Sequence, residues 1–185
     1  PATACISINE EIVHGIPGDR VVQAGDLVTL DCGAIVDGFN SDYAVTKVTG
    51  TSTDVKDDLI DTTRGSLEKG IEAVRSGNRV GDISSAIEGH VAGRPYELVR
   101  EYVGHGIGKD LHEPPQVPNF GPSGQGLELQ PGLVLAIEPM VNVGVWKTRM
   151  LDNGWTVATE DGALSCHFEH TVVVTEDGPE ILTVE

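Results

Sequence analysis

The residues of this chain that are best able to do chemistry are carboxylates set in apolar strand sequence. Asp31 is the first of them, and it directly follows Val28-Thr29-Leu30 in a run that reads as a buried strand. An unpaired buried carboxylate is costly, so it needs a cation or several hydrogen-bond donors. We therefore interpret Asp31 as a metal ligand.

A predicted β-hairpin brings a second carboxylate to the same place. Asp37-Gly38 is a strong signal for a two-residue turn between two β-type runs. In that register Gly33 pairs with Asp42, and Asp31 lies on the same face of the hairpin. The two aspartates then become diagonal neighbours with Cα atoms roughly 7–8 Å apart. Carboxylates so placed can both reach metal ions about 3.5–4 Å apart, and Gly33 leaves room between them.

Three further residues stand where a charged or polar side chain needs a partner. His105 lies between two glycines, Glu138 ends an apolar strand, and Glu169 precedes a run that reads as a central strand. Such residues are either paired or metal-bound. With Asp31 and Asp42 they form an oxygen-rich set whose four negative charges would balance two divalent ions. This set suits Mn²⁺, Fe²⁺, Co²⁺ or Zn²⁺, so the metal stays open.

The elements that must position these residues are mostly strands. Strands are predicted over 4–8, 27–36, 39–45, 98–103, 133–138, 155–159, 165–175 and 181–184, with helices over 54–75 and from an N-cap at Asp82 to Gly93. Strands near both ends of the chain enclose two central helices. This order predicts an α+β fold, a mainly antiparallel sheet with flanking helices, in a single domain of residues 1–185.

Composition excludes several classes of function. Lysine and arginine number 12 against 29 acidic residues, and the net charge of −17 would repel nucleic acid. No run of about 18 apolar residues and no signal segment is present, which leaves the cytoplasm as the expected compartment. The three cysteines do not suggest a disulfide framework. His90, on or near the apolar stripe of a predicted helix, is interpreted as structural.

The five predicted ligands occur, in order, within motifs that are specific when taken together. These are Leu-Asp-Cys-Gly with a later Asp, Gly-His-Gly-Ile-Gly, Ile-Glu-Pro-Met and Phe-Glu-His-Thr. In this combination nearly the whole chain resembles the methionine aminopeptidases, and among them the bacterial type I group. The resemblance implies the pita-bread fold, in which two pseudo-symmetric halves clasp two metal ions.

The resemblance also implies a role for each ligand. Asp31 and Asp42 would bind one metal and bridge to the second, and the remaining three ligands would complete the pair, with Glu169 bridging. Two-metal chemistry of this kind activates a water near neutral pH for attack on a peptide carbonyl. Glu138 would take and return the proton, while His105 would serve as a ligand only.

Further residues are assigned by the same resemblance. His112 would stabilise the oxyanion and His14 would contact the scissile amide. Cys5 and Trp155 match positions that line a methionine pocket, where soft and aromatic surfaces suit a thioether, although plain core packing remains open for both. Leu111 joins this pocket at a position where an aromatic residue is common.

The implied activity is removal of the N-terminal, initiator methionine from new polypeptides by hydrolysis of the first peptide bond, favouring small second residues. The implied partners are N-terminal methionine peptides and nascent chains, with a transient ribosome association and a monomeric enzyme. No nucleic-acid specificity and no membrane are expected.

Two departures and two alternatives qualify the resemblance. The family has more chain before the equivalent of Cys5, so we expect the chain to be N-terminally truncated relative to it. His167 stands where glutamine is usual and is interpreted as a donor that replaces the amide. A prolidase or proline aminopeptidase is one alternative, but the Cys-Ile-Ser-Ile-Asn-Glu stretch favours the methionine branch. A pita-bread binding protein without catalysis is the other, and the complete ligand set argues against it.

Overall fold

The computed structural model describes residues 2–184. Strands predominate, and two helices lie in the middle of the chain. In chain order the elements are β1 (Cys5–Ile8), β2 (Glu11–Val13), β3 (Leu27–Val36), β4 (Phe39–Val48), α1 (Asp54–Glu72), α2 (Val80–Val91), β5 (Glu97–Leu98), β6 (Gly104–Gly106), β7 (Glu113–Val117), β8 (Val134–Ile137), β9 (Met140–Asn142), β10 (Thr148–Met150), β11 (Val157–Thr159), β12 (Ser165–His167), β13 (Glu169–Thr175) and β14 (Gly178–Ile181).

The main layer is a sheet of eight strands. Seven follow the order β1-β3-β4-β13-β8-β6-β7, and β14 is attached to β13. All of its pairs are antiparallel. Two three-stranded sheets, β10-β11-β2 and β12-β9-β5, accompany it. The predicted α+β architecture, with a mainly antiparallel sheet and flanking helices, is confirmed.

The β3–β4 hairpin has the predicted register, in which Gly33 pairs with Asp42. Its two turn residues, Asp37 with φ 52° and Gly38 with φ 82°, both adopt positive φ. Positive φ at both positions is the type I′ geometry, whose twist matches that of the flanking strands. The return strand continues to Val48, three residues beyond its predicted end.

Helix α1 begins where it was predicted and ends early. Thr53 is its N-cap, and the Thr53 side chain accepts a hydrogen bond from the backbone N–H of Lys56. At the other end the N–H of Ala73 turns back to the carbonyls of Gly70 and Ile71, which closes the helix at Glu72 rather than at residue 75.

Helix α2 begins three residues before its predicted start. Arg79 is the N-cap, and Asp82, which the sequence indicated as the cap, is the third helical residue. The Asp82 carboxylate accepts the Arg79 backbone N–H at 2.7 Å. It also accepts the Ser123 hydroxyl and the backbone N–H of Gly124, so it ties a distant loop to the helix start. The prediction of Asp82 as N-cap was wrong because its carboxylate reaches back to the backbone N–H of Arg79, the role of the third helical residue in a capping box.

The two helices pack on each other and on one face of the main sheet. A Cβ at Gly70 would lie 2.8 Å from Ile87 of α2 and 3.4 Å from Ile137 of β8, so glycine allows the three elements to meet. Leu135 and Ile137 of β8 belong to the core with the helices. Because side chains alternate along a strand, Ala136 lies on the opposite face, which is left for the site.

Several other predictions need correction. The long strand predicted over 165–175 is divided at Phe168 into β12 and β13. Strand β3 is not buried on both faces, since Leu30 is 47% exposed. The short strands β2, β6, β7, β9 and β10 were not predicted, and the strands predicted over 98–103 and 181–184 are found as β5 and β14 with different bounds. Neither helix of residues 2–184 combines the length and apolar character needed to cross a bilayer.

Candidate metal centre

Strand pairing places Asp31, Glu169 and Asp42 on one face of the sheet. Asp31 pairs with Ala44 across β3 and β4, and Ala44 pairs with Glu169 across β4 and β13. Directly paired residues of adjacent strands point to the same face, and so do residues two apart on one strand. Asp42, two residues before Ala44, therefore joins this row.

A second row brings the other two predicted ligands to the same face. Ala136 of β8 pairs with Thr171 on one side and with His105 on the other. Glu138 follows Ala136 by two residues, just past the end of β8. Glu169 precedes Thr171 by two residues, so the two rows share one face. All five predicted ligands thus lie on the side of the sheet away from the helices.

The side chains of this face converge. Ligand atoms of Asp42, His105 and Glu169 lie within 4.8 Å of one another. His105 Nε2 is 3.5 Å from Glu138 Oε1. Asp31 and Asp42 line the same cavity, described below. Asp42, His105 and Glu169 can therefore hold a cation between them, and the other two candidate ligands lie beside this group.

Burial and mutual repulsion make the carboxylates difficult to ionise. Burial raises the pKa of Asp31 to about 7, and the charge of Asp42 adds to the effect. Burial also raises the pKa of Asp42, whereas His105 and His112 oppose the increase. The pKa of Glu138 lies well above its ordinary value, first because of burial and then because of Asp42 and Asp31. These acids share one unfavourable environment.

Burial and repulsion by a neighbouring carboxylate also act on Glu169. It is 2% exposed, and its Oε1 has no hydrogen-bond partner among the described residues. Burial raises its pKa well above the ordinary value, and the charge of Glu138 is the next largest cause. A buried acid without a donor is destabilising unless a cation neutralises it.

The donor set fits divalent cations. Within residues 2–184 no lysine or arginine side chain forms an ion pair with any of the four carboxylates. His105 Nδ1 lies 2.9 Å from the carbonyl oxygen of Gly106. With the proton on Nδ1, that contact leaves Nε2 as a lone-pair donor, the arrangement usual for a metal-binding histidine. Carboxylates without a cationic partner, beside an oriented imidazole, are side chains suited to holding divalent ions.

A cavity of about 200 Å³ opens beside these ligands. Its lining residues include both predicted catalytic histidines, the two aspartates and two predicted pocket residues: His14, His112, Asp31, Asp42, Cys5 and Leu111. The ring of His112 lies 4.3 Å from that of His105, centroid to centroid. The structure therefore brings the candidate metal ligands and the candidate substrate residues together.

His14 is held at this cavity by its backbone. Its φ is 57°, a left-handed conformation that is uncommon for a residue with a side chain. The His14 carbonyl accepts the Thr156 hydroxyl at 3.2 Å, and the following Gly15 donates its N–H to Ser7. A Cβ at Gly15 would collide with the backbone of Ile6, so only glycine permits this close approach. Burial lowers the pKa of His14, which favours the neutral imidazole.

Not every predicted pocket residue lies in the cavity wall. Trp155 is 53% exposed and does not line the cavity, although its neighbour Thr156 binds the His14 carbonyl. Leu111 is 39% exposed at the cavity wall. Burial raises the pKa of the Cys5 thiol to about 11, so this side chain offers a neutral, soft surface.

Comparison with known proteins agrees with this geometry. The sequence profile of Metallopeptidase family M24 matches residues 1–176. The chain belongs to metallopeptidase family M24. The five candidate ligands therefore belong to a chain of a metal-dependent peptidase family, and Asp42, His105 and Glu169 form a group that could hold a metal ion.

Several bacterial methionine aminopeptidases are similar to this chain in sequence. Methionine aminopeptidase A of Synechocystis sp. is 49% identical over 185 residues, which are 100% of this chain and 73% of that protein. Methionine aminopeptidase 1 of Bacillus subtilis is 49% identical over 179 residues, 97% of this chain and 72% of that protein. The chain thus spans roughly three quarters of such relatives.

Solved structures are similar in fold. The methionine aminopeptidase of Thermotoga maritima has a TM-score of 0.96 at 45% identity, covering 98% of this chain and 74% of that one. The enzyme of Rickettsia prowazekii has a TM-score of 0.95 at 42% identity, covering 98% and 73%. The prolidase of Pyrococcus horikoshii, with a TM-score of 0.79 at 23% identity over 99% and 48%, shares the fold alone. The predicted pita-bread fold and the predicted family are confirmed.

Two residues of the M24 site were not among the predicted site residues. Thr171 accepts the backbone N–H of Asp42 at 2.8 Å and donates to the Asp42 carbonyl at 2.9 Å, which fixes β4 against β13. His167 Nε2 lies 3.7 Å from Glu138 Oε2. His167 was already interpreted from the sequence as a donor, and alternation along the strand from Glu169 was the signal that could have placed Thr171.

Proposed function

We propose that this chain is a methionyl aminopeptidase that hydrolyses the first peptide bond of polypeptides beginning with methionine. One observation carries the proposal: a single sheet face gathers Asp31, Asp42, His105, Glu138 and Glu169 beside a cavity lined by His14 and His112. Two relatives that are 49% identical to this chain are named methionine aminopeptidases, and these names support methionine as the substrate residue.

The chain supplies the ligands and the groups that move or hold protons. Asp31, Asp42, His105, Glu138 and Glu169 would hold two divalent ions. When bound, these ions supply Lewis acidity, which polarises the substrate carbonyl and lowers the pKa of water. Glu138 is the candidate general base. Its side chain is only 13% exposed, and this burial raises its pKa, so that a proton accepted by the carboxylate is held favourably. It would then return that proton to the leaving amine.

The two histidines at the cavity have distinct proposed tasks. His112, next to His105, would donate a hydrogen bond to the oxyanion that develops on the scissile carbonyl. His14, in its left-handed backbone conformation, would contact the scissile amide. Both roles require an N–H donor, which a neutral imidazole retains on one nitrogen.

The methionine side chain would occupy the cavity of about 200 Å³. Cys5 and Leu111 present a soft, apolar wall that suits a thioether. Trp155 is proposed as a further pocket residue on the resemblance alone. A preference for small second residues is proposed on the resemblance alone.

The wider setting is part of the same proposal. The resemblance supports nascent chains as substrates, a monomeric enzyme in the cytoplasm and a transient association with the ribosome. It also supports residues 1–185 as one catalytic domain, because the proposed ligands come from both halves of the chain. Manganese, iron, cobalt and zinc are all compatible with the carboxylate and imidazole ligands.

The decisive experiment measures methionine release by the 185-residue chain. Chelator-stripped protein receives Mn²⁺, Fe²⁺, Co²⁺ or Zn²⁺ and is then incubated with Met-Ala-Ser, Met-Lys-Ser or an Xaa-Pro dipeptide. We expect metal-dependent release from Met-Ala-Ser only. The Asp42→Asn variant should lose that release, whereas Asp37→Asn, which changes an exposed turn residue of the same hairpin, should retain it.

The alternatives predict different results. Hydrolysis of the Xaa-Pro dipeptide in preference to Met-Ala-Ser would replace the proposal with a prolidase activity. Binding of two ions without hydrolysis of any peptide would show a metal-binding protein that does not catalyse this reaction. Release that survives Asp42→Asn would contradict the assignment of the ligands.

A further inference from the structure

His167 is a buried imidazole that neither the fold nor the proposed mechanism uses. It is 1% exposed, and neither ring nitrogen has a hydrogen-bond partner among the described residues. Burying such a polar ring without a partner is costly compared with an apolar side chain of similar volume. Its Nε2 is directed toward Glu138 Oε2 at 3.7 Å. The position therefore carries a cost for which packing gives no reason.

The backbone of residue 167 is held independently of the ring. Its N–H donates to the hydroxyl of Thr46 at 3.1 Å, and its carbonyl accepts from the same hydroxyl at 2.6 Å. In β12 it also pairs with Met140. A change of side chain at 167 thus leaves these strand contacts in place, and the imidazole is not needed to build the strand.

The two carboxylate oxygens of Glu138 have different neighbours. Oε1 faces Nε2 of the predicted ligand His105 at 3.5 Å, whereas Oε2 faces Nε2 of His167 at 3.7 Å. The backbone of Glu138 is anchored separately, because its carbonyl accepts the Asn119 side-chain amide at 3.1 Å. The backbone anchor therefore does not by itself set the direction of the carboxylate, and a donor at Oε2 would.

We propose that His167 is a positioning residue for Glu138. It would donate its Nε2–H to Oε2, so that Oε1 stays directed toward the candidate cation site on the His105 side. The separation of 3.7 Å closes by a small rotation of either side chain, and hydrogen bonds of catalytic groups are commonly long before ligands bind. The kinetic consequences rest on the proposed function, whereas the effect on metal affinity does not.

The test compares three variants of the 185-residue chain after chelation. His167→Gln keeps an N–H donor at a similar reach, and His167→Leu removes the donor at similar volume. His90→Leu is the matched control, since His90 packs against Gly65 of α1 and is not part of the site. Mn²⁺ affinity is measured by titration calorimetry, thermal unfolding reports on folding, and kcat and KM are measured on Met-Ala-Ser.

We expect His167→Leu to bind Mn²⁺ about 10–100-fold more weakly, the range found when a group that orients a metal ligand is lost. His167→Gln should recover the wild-type affinity, and His90→Leu should not change it. Unfolding temperatures of metal-free His167→Leu should equal or exceed that of the wild type. The loss in hydrolysis should appear in kcat rather than in KM.

A double-mutant comparison separates positioning from direct ligation. In a Glu138→Gln background, His167→Leu should cause no further loss of Mn²⁺ affinity. A further loss would show that His167 is itself a ligand and would overturn the proposal. So would unchanged affinity in His167→Leu, or equal losses in His167→Gln and His167→Leu. If the wild type binds Mn²⁺ but cleaves no peptide, the proposed function fails while the affinities still decide this inference.

Discussion

Replacement of Asp31 by asparagine should stabilise the metal-free protein and weaken the metal-bound one. Asp31 is partly buried beside Asp42, and its pKa is raised from 3.8 to about 7. In the folded state its ionised form is therefore unfavourable relative to the unfolded chain. Asparagine has nearly the same shape without the charge, so the Asp31→Asn variant removes that penalty while also removing a proposed ligand.

The size and sign of this effect follow from proton linkage. An acid whose folded pKa is raised causes no destabilisation below its unfolded pKa, here 3.8, and full destabilisation above its folded pKa, here about 7. At 1.36 kcal/mol for each pH unit, the full penalty is about 4 kcal/mol, and solvent at this partly exposed carboxyl group reduces it to roughly 2–4 kcal/mol. At pH 5 less than half of it should remain.

Urea denaturation with a chelator present, at pH 5 and at pH 8, measures the difference directly. The Asp31→Asn variant should exceed the wild type by a larger margin at pH 8 than at pH 5. Asp37→Asn, on the same hairpin but exposed, serves as control and should follow the wild type at both values. With Mn²⁺ in excess the wild type should gain about 2.7 kcal/mol at a hundredfold of its Kd, and the Asp31→Asn variant less. Equal stability of variant and wild type at pH 8 with chelator would refute the reasoning.

Three further predictions concern the fold around the site. Gly104→Ala should lower the free energy of unfolding by about 1–3 kcal/mol in urea denaturation, because its Cβ would overlap a carbonyl oxygen of β8; an unchanged midpoint would contradict the close approach. Asp37→Val should cost about 1–2 kcal/mol in the same assay, since a β-branched residue resists a φ of 52°, and a neutral result would argue against the type I′ turn. Mass spectrometry after brief iodoacetamide treatment should show the exposed Cys32 modified before Cys5 and Cys166. Burial raises the thiol pKa values of Cys5 and Cys166 to about 11 and about 12, which slows their reaction. The reverse order of modification would contradict their placement.

The placement of the candidate ligands on one face could be predicted from sequence because it follows from hairpin register and from the alternation of side chains along a strand. A two-residue turn at Asp37-Gly38 fixes every pair of the hairpin, and so places Asp31 and Asp42 together. Glu169 was recognisable because a carboxylate beside a run of β-branched residues has no local partner. Turn chemistry and the cost of buried charge are both local properties, and neither needs knowledge of the rest of the chain.

Contacts between distant segments could not be predicted in the same way. Strand β2 exists because Val13 pairs with Val157, far away in the sequence, and three residues alone carry no strand signal. The loop that donates hydrogen bonds from Ser123 and Gly124 to Asp82 is also about forty residues away from it in the sequence. The exposure of Trp155 likewise depends on how its loop meets the His14 segment.

The two faces of strand β8 separate the apolar packing that stabilises the sheet from the carboxylates that repel one another. Leu135 and Ile137 are completely buried against the helices, and this apolar burial stabilises the sheet. Ala136 and Glu138, one residue along in each case, belong to the face where carboxylates repel one another. Because alternate residues point to opposite faces, the carboxylates can repel one another on one face while the apolar packing on the other face is unaffected. Substitutions on the helix face should therefore change stability with or without metal, whereas substitutions of ligands should change it in opposite directions in the two states.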